Sequence, residues 1–413
     1  MTAILTREET AKLGIEAGKV FTPATPVSEE ELFAGRWKQI RKVVDAINQR
    51  GQHAIIYGER GVGKTSLSNI ISSKLSGGPE LLTPKVNCDS TDDFASIWRK
   101  VFSQIELIRR LPAVGFQMEI FKDTIKAGDV ISDDVTPDEV RRMLTIMSSV
   151  SLVIIVLDEL DRLTDQTARR ALADTVKSLS DNDVRATIVL VGVADSVDDL
   201  ISEHQSIERA LVQIQMPRMS REELHEILDK GMQKLGMTMT ENAKRQISLL
   251  SQGLPHYTHL LGLHSTRAAI DGSSREVSCE HVDSAISKAV EGAQQTLRSA
   301  YRKAITTARK DNIYAQVLLA CALAKTDDFG YFAASDVKNP LGRIMHKPYE
   351  IGGFAKHLND FCSSEKGPIL RKTGVKHKYR FRFENPLMQP LIIMQGLVDG
   401  RIDSMVLEET NGD

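Results

Sequence analysis

Apolar residues along this chain follow two alternating periods over its first half and a single one thereafter. Ala54–Tyr57, Leu152–Leu157 and Ala186–Val193 are short unbroken apolar runs, the pattern of strands buried on both faces. Lys85–Asp89 reads as a further strand. Between these runs the spacing is helical. Ile40, Val43, Val44 and Ile47 share one face of a helix over Arg36–Arg50, and helices are predicted over Phe94–Ile108 and Thr167–Leu179. Thr136, Pro137 and Glu139 form a helix start, with an N-cap threonine, proline in the first turn and a glutamate three residues after the cap. Strands alternating with helices predict a parallel α/β sheet covered on both sides. Residues 110–135 break the pattern and are expected to form an irregular surface insertion.

After Met216 and Pro217 the strand-like runs stop. Ser220 and Glu223 form a capping box, and helices are predicted near 241–251, 255–270 and 279–310. The remainder reads as helices over Tyr314–Lys325 and Phe354–Ser363, then a hairpin over Ile369–Phe383 turning at Gly374. The expected organisation is a flexible N-terminal arm (1–20), an α/β core (21–217), a helical lid with a linker helix (218–312) and a C-terminal unit with a tail (313–413).

Composition narrows the function classes. The 413 residues are 41% apolar and 26% charged, which excludes wholesale disorder. A net charge of −2 confines any nucleic-acid signal to a local patch. The longest apolar run, Val317–Ala324, is far short of the ~20 residues that span a bilayer, so no membrane partner is expected. Cys88, Cys279, Cys321 and Cys362 are scattered without a CxxC, as suits a reducing cytoplasm.

The chemistry begins at Gly58-Glu59-Arg60-Gly61-Val62-Gly63-Lys64-Thr65, a full GxxxxGK[ST] between an apolar strand and a helix. Glycines let backbone N–H groups curl around phosphate oxygens, and the helix N-terminus adds its positive dipole end. Lys64 is placed to neutralise phosphate charge, Thr65 to ligate Mg²⁺, and Ser66 follows in the same turn. The second element is a hydrophobic strand ending in Asp158 and Glu159. At the carboxyl edge of a parallel sheet Asp158 faces the phosphate loop and the Mg²⁺ water shell, and Glu159 is the candidate general base for an attacking water.

On these residues the chain resembles an AAA+ ATPase of the initiator, origin-recognition type, close to the STAND ATPases, over roughly residues 21–290. The resemblance implies ATP and Mg²⁺ as cofactors, with Gly58–Thr65 and Asp158-Glu159 as Walker A and Walker B. Phe33-Ala34-Gly35-Arg36 resembles the family's entry box near the adenine. Gly253-Leu254-Pro255-His256 resembles the lid turn that approaches the adenine, which implies contacts from Pro255 and His256. Asp195 falls where the family carries sensor 1. Arg209 falls where it carries an arginine finger, a role for which Arg169 and Arg170 are alternatives, and this implies an ATP-dependent homo-oligomer.

The C-terminal unit resembles a winged-helix domain. From Lys366 to Arg382 there are seven Lys or Arg and no Asp or Glu. Arg371, Lys372, Lys376, Lys378 and Arg380 are therefore candidate contacts to a duplex DNA backbone. Two functions are expected: a nucleotide-dependent switch or assembly on DNA, or a STAND-like ATPase gating a partner effector protein.

Overall fold

The computed structural model describes residues 6–75, 81–110, 122–132, 134–194, 197, 200, 207–307, 312–375 and 378–403. Its first helix, α1 (Arg7–Val20), is closed at its start by a reciprocal capping box between Thr6 and Glu9. Over residues 6–20 this replaces the flexible arm expected there, and residues 1–5 lie outside the described residues. α1 lies against the later helices of the lid, and Phe21 after it is 1% exposed. A Cβ on Gly231 or Gly262 would stand 2.3 or 2.9 Å from the Phe21 ring, so two lid glycines make the socket for that anchor.

The core follows as α2 (Trp37–Asn48), β1 (His53–Gly58), α3 (Lys64–Leu75), β2 (Leu81–Leu82), β3 (Lys85–Asn87) and α4 (Phe94–Phe102). Then come β4 (Glu106–Arg110), β5 (Lys122–Lys126), α5 (Pro137–Ser148), β6 (Leu152–Asp158), α6 (Gln166–Asp181), β7 (Ala186–Val193) and β8 (Leu211–Gln215). Six strands pair in parallel in the order β2-β6-β7-β1-β8, with β3 also on β6. Successive strand residues feed opposite faces. Ile56, Val156 and Val189 join one buried cluster, and Ile55, Ile155 and Leu190 join the other with Trp98, Leu144 and Val176 of the covering helices. The first cluster runs on without a break into the lid and the C-terminal unit. Phosphate-loop strand β1 and acidic strand β6 are separated by β7, and both end at the same carboxyl edge.

Two expectations change here. The helix predicted to reach Ile108 ends at Phe102, because Gln104 clamps β3 by accepting from Lys85 N and donating to Lys85 O. Part of the expected irregular insertion pairs as the antiparallel hairpin β4–β5.

The lid comprises α7 (Arg221–Leu235), β9 (Thr238–Met239), α8 (Glu241–Ser251), α9 (Pro255–Asp271), β10 (Glu276–Val277) and α10 (Cys279–Glu291). The helix expected over 279–310 is broken after Gly292, and α11 (Gln295–Ile305) is a separate element. The C-terminal unit runs α12 (Tyr314–Ala322), β11 (Phe332–Ala333), α13 (Ala334–Met345), α14 (Ile351–Phe361), β12 (Leu370–Thr373), β13 (Arg380–Phe383) and α15 (Met388–Val398). Its three strands form an antiparallel sheet ordered β11-β13-β12. Gly374 turns the hairpin at φ 92°, where a Cβ would meet Lys378 O at 2.5 Å. Among the described residues no helix is long and apolar enough to cross a membrane.

Candidate functional site

β1 delivers the chain into the phosphate loop at Gly58, with φ 149°; Gly61 and Gly63 follow at φ 88° and 95°. A Cβ on Gly58 would lie 2.5 Å from Met216 O, since Met216 N is itself bonded to Tyr57 O. Only glycine fits this turn. Arg60 is exposed, while Val62 is buried and its carbonyl accepts from Arg36 Nη2 at 3.0 Å. Lys64 opens α3 and is 7% exposed. Its ammonium donates to Gly58 O at 3.0 Å and Glu59 O at 2.7 Å, and burial pulls its pKa down to about 8. A buried cation hydrogen-bonded to neutral carbonyls, within a glycine loop and at a helix N-terminus, fits an anionic phosphate chain. Thr65 and Ser66 occupy the same first turn, where Ser66 Oγ accepts from Val27 N.

Asp158 ends β6 and is 2% exposed. Its Oδ1 accepts from Glu159 N, and its Oδ2 accepts from Ser68 Oγ and pairs with Lys85 Nζ at 3.1 Å. Glu159 sits in left-handed backbone at φ 57°, and its carboxylate pairs with Arg162 at 2.8 Å. Mg²⁺ at a phosphate loop needs few protein ligands beyond a hydroxyl and an acidic outer contact, and Thr65 and Asp158 are the candidates for these two places. Among the described residues no group of three or more His, Cys, Asp or Glu could hold a metal ion.

Three residues at this edge escape a motif reading. Asp161 Oδ1 accepts from Val193 N at the end of β7, and Asp161 is the foremost of the carboxylates favouring a charged Lys64. Its only sequence signal was being the third acid in Asp158-Glu159-Leu160-Asp161. Lys85 and Ser68 carried none.

Phe33 and Arg36, the candidates for the base side, are both buried. Phe33 O is held by Lys230 Nζ. Arg36 Nη2 also donates to Pro217 O at 2.7 Å, so its guanidinium spans the loop and the last residue of the core before the lid. Pro255 Cγ stands 3.9 Å from the position of a Cβ on Gly63. His256 Nδ1 donates to Pro23 O at 2.8 Å, and Thr22 N donates to His259 Nδ1 at 3.3 Å. The lid turn thus grips the segment that precedes the entry box.

The C-terminal unit reaches the loop directly. Leu387 Cδ2 lies 3.3 Å from the position of a Cβ on Gly61, and Leu387 O accepts from Tyr257 Oη at 2.7 Å. Buried Glu59 pairs with Arg218 at 2.8 Å, and Arg218 also donates to Gln389 Oε1.

Arg209 stands before β8, at the end of the sheet opposite the phosphate loop, and pairs with Asp181. Arg169 Nε donates to Leu163 O. Asp195 and Lys376 lie outside the described residues. Arg371, Lys372, Lys378 and Arg380 are exposed on the hairpin. Lys372 bonds Asn359 and lies over the Tyr379 ring, and Arg380 pairs with Asp327 at 3.1 Å.

Among solved structures, a neighbour with a TM-score above 0.5 shares the fold. A Walker-type ATPase of Pyrococcus abyssi superposes with TM-score 0.51 at 15% identity, covering 90% of this chain and 99% of its own. Cdc6p of Pyrobaculum aerophilum gives TM-score 0.46 at 14% identity, covering 97% of this chain and all of its own. The ORC1 protein of Aeropyrum pernix, solved with DNA, gives TM-score 0.46 at 14% identity and covers 93% and 97%. No curated protein matches the sequence. The family model described as novel STAND NTPase 1 matches residues 24–305, from ahead of the entry box to the end of α11, and the chain therefore belongs to that family of P-loop NTPases.

Proposed function

We propose that this NTPase binds and hydrolyses ATP with Mg²⁺ and works as a switch whose moving part is the C-terminal unit. The observation that carries this reading is the contact of Leu387 and Gln389 with the phosphate loop and Arg218. Nucleotide entering the loop must reorder Lys64, whose ammonium now faces the Gly58 and Glu59 carbonyls. Glu59 and Arg218 pass such a change to α15. Bound Mg²⁺ supplies charge neutralisation on the phosphates, with Thr65 and Asp158 as its protein contacts. Glu159 accepts the proton of the attacking water once its carboxylate leaves Arg162. Phe33, Arg36, Pro255 and His256 enclose the base. Arg209, remote from its own loop, serves the loop of a second copy in an ATP-dependent homo-oligomer. The setting proposed for it is the cytoplasm; Cys88, Cys279, Cys321 and Cys362 form no disulfide in the structure.

The helix-strand-helix-helix-strand-strand order of the C-terminal unit supports a winged helix whose hairpin lies on duplex DNA through Arg371, Lys372, Lys376, Lys378 and Arg380. A partner effector protein is the second reading, favoured by the internal engagement of Arg380 and Lys372. ATP turnover is measured while duplex DNA is titrated in, with Glu159→Gln as the blank. A rise that saturates, and that is lost on charge reversal at Lys372 and Lys378, supports the DNA switch. A low rate indifferent to DNA supports the protein-gated switch. No turnover above the blank under any condition removes the hydrolytic reading.

A further inference from the structure

Asp158, the residue assigned to the metal side of the site, already carries a cation. Lys85, at the start of β3, sends its ammonium between α3 and β6. Nζ donates to Ser68 Oγ at 2.6 Å and to Asn69 Oδ1, and lies 3.1 Å from Asp158 Oδ2. The group is enclosed: the Lys85 side chain is 19% exposed and that of Asp158 3%. Ser68 Oγ lies 3.0 Å from the same Oδ2, and Oδ1 is occupied by Glu159 N. Both carboxylate oxygens are thus engaged, and the negative charge has a fixed counter-charge at ion-pair distance. In such an enclosed place the pair is poorly screened by solvent.

The geometry points to Lys85 as a positioning residue: the built-in counter-ion of Asp158 that sets how strongly nucleotide binding depends on Mg²⁺. The inference rests on the nucleotide-binding reading above. Its physical content is charge bookkeeping at one oxygen pair. A carboxylate already neutralised by an ammonium offers a dication little net charge, and the ammonium itself repels that dication. Mg²⁺ then adds less to nucleotide affinity than it would beside an unpaired aspartate. Lys85 also fixes the Asp158 rotamer by bridging it to Ser68 and Asn69, so the carboxylate keeps its orientation with the metal absent.

The test is the affinity for ADP, by titration calorimetry, with millimolar Mg²⁺ and again with excess EDTA. It is run on the wild type, Lys85→Met, Lys85→Gln and Lys85→Arg. Gln retains hydrogen-bonding capacity toward Ser68 and Asn69 without the charge, and serves if Met fails to fold. The ratio of the two affinities is the readout. Loss of the charge in Met or Gln is expected to raise that ratio by about tenfold, within the usual range of coupling between two bound groups. Arg is expected to keep it near the wild-type value. A ratio that is unchanged or lower in the folded uncharged variants overturns the inference while leaving nucleotide binding intact. A wild type that binds no ADP in either condition overturns the nucleotide reading, and this inference with it.

Discussion

Arg218 Nη1 donates a 2.6 Å hydrogen bond to Gln389 Oε1, while Nε of the same guanidinium holds Glu59 Oε2 at 2.8 Å. A phosphate-loop side chain, the first residues of the lid and the start of α15 therefore share one partly buried cation. Gln389 is 1% exposed, and its Nε2 also donates to Ala322 O. Gln389→Met keeps the volume and removes the link. Release of a fluorescent ADP analogue is expected to quicken by about tenfold, since a hydrogen bond to a charged group is worth about 1.5–3 kcal/mol and 1.4 kcal/mol is tenfold. A release rate equal to the wild type would show that α15 does not restrain the loop.

Lys64 and Glu159 separate binding from chemistry. Lys64→Ala removes the buried ammonium that faces the phosphate position, and ATP affinity is expected to fall by about a hundredfold, the scale of about 3 kcal/mol. Glu159 is 41% exposed at its side chain and bonded to Arg162, so Glu159→Gln leaves the cradle intact. Its affinity is expected to match the wild type while turnover falls by about a hundredfold, the lower range for loss of a general base. Equilibrium titration and phosphate release on the same preparations check both. Equal turnover in wild type and Glu159→Gln would move the base role to another carboxylate, and Asp161, two residues on, is the next candidate.

Gly58 is a backbone prediction. At φ 149°, with Met216 O 2.5 Å from the site of a Cβ, neither the turn nor the adjoining β8 edge has room for a methyl group. Gly58→Ala is expected to destabilise the fold by about 2 kcal/mol or more, through strain at a glycine-only conformation. Gly236 also has positive φ, at 62°, but meets nothing within 4 Å, so Gly236→Ala carries backbone strain alone. Urea unfolding of the two variants should rank Gly58→Ala as clearly the weaker, and equal midpoints would refute the steric argument.

The chemistry of the loop was legible in sequence because phosphate binding demands a fixed residue order, and Gly58–Thr65 and Asp158-Glu159 sit on the strand ends their motifs predict. The strands were legible because a parallel sheet covered on both faces needs unbroken apolar runs. The missed features depend on tertiary partners. Helix α1 holds because Phe21 enters a socket made by Gly231 and Gly262, far along the chain. Helix α15 is apolar nearly all round, with Ile392, Ile393 and Met394 buried, so it carries no amphipathic stripe. Arg218, Lys85 and Gln389 are ordinary polar residues in sequence, and gain meaning only when Glu59 and Asp158 are brought beside them.

His53 sets an acid limit on stability. The ring is fully buried at the start of β1, and its Nδ1 accepts from Ile188 N at 3.0 Å. Nε2 then carries the proton, and it is buried without a partner. Burial alone lowers the pKa from its ordinary 6.5 to about 4. The folded chain therefore keeps this imidazole neutral in a range where the unfolded chain protonates it. The stabilisation is full above pH 6.5 and is lost as pH falls toward 4, which gives the sign. The linkage amounts to about 2 kcal/mol between about pH 7.5 and about pH 5. His259, also pulled down to about 4, by burial and then by His256, acts in the same direction, so one substitution removes only part of the slope. His53→Asn retains an acceptor for Ile188 N and does not titrate. Urea unfolding at the two pH values should show a smaller loss for His53→Asn than for the wild type, even if the variant is less stable at the higher pH. Equal losses would mean that the wild-type imidazole charges within the folded sheet.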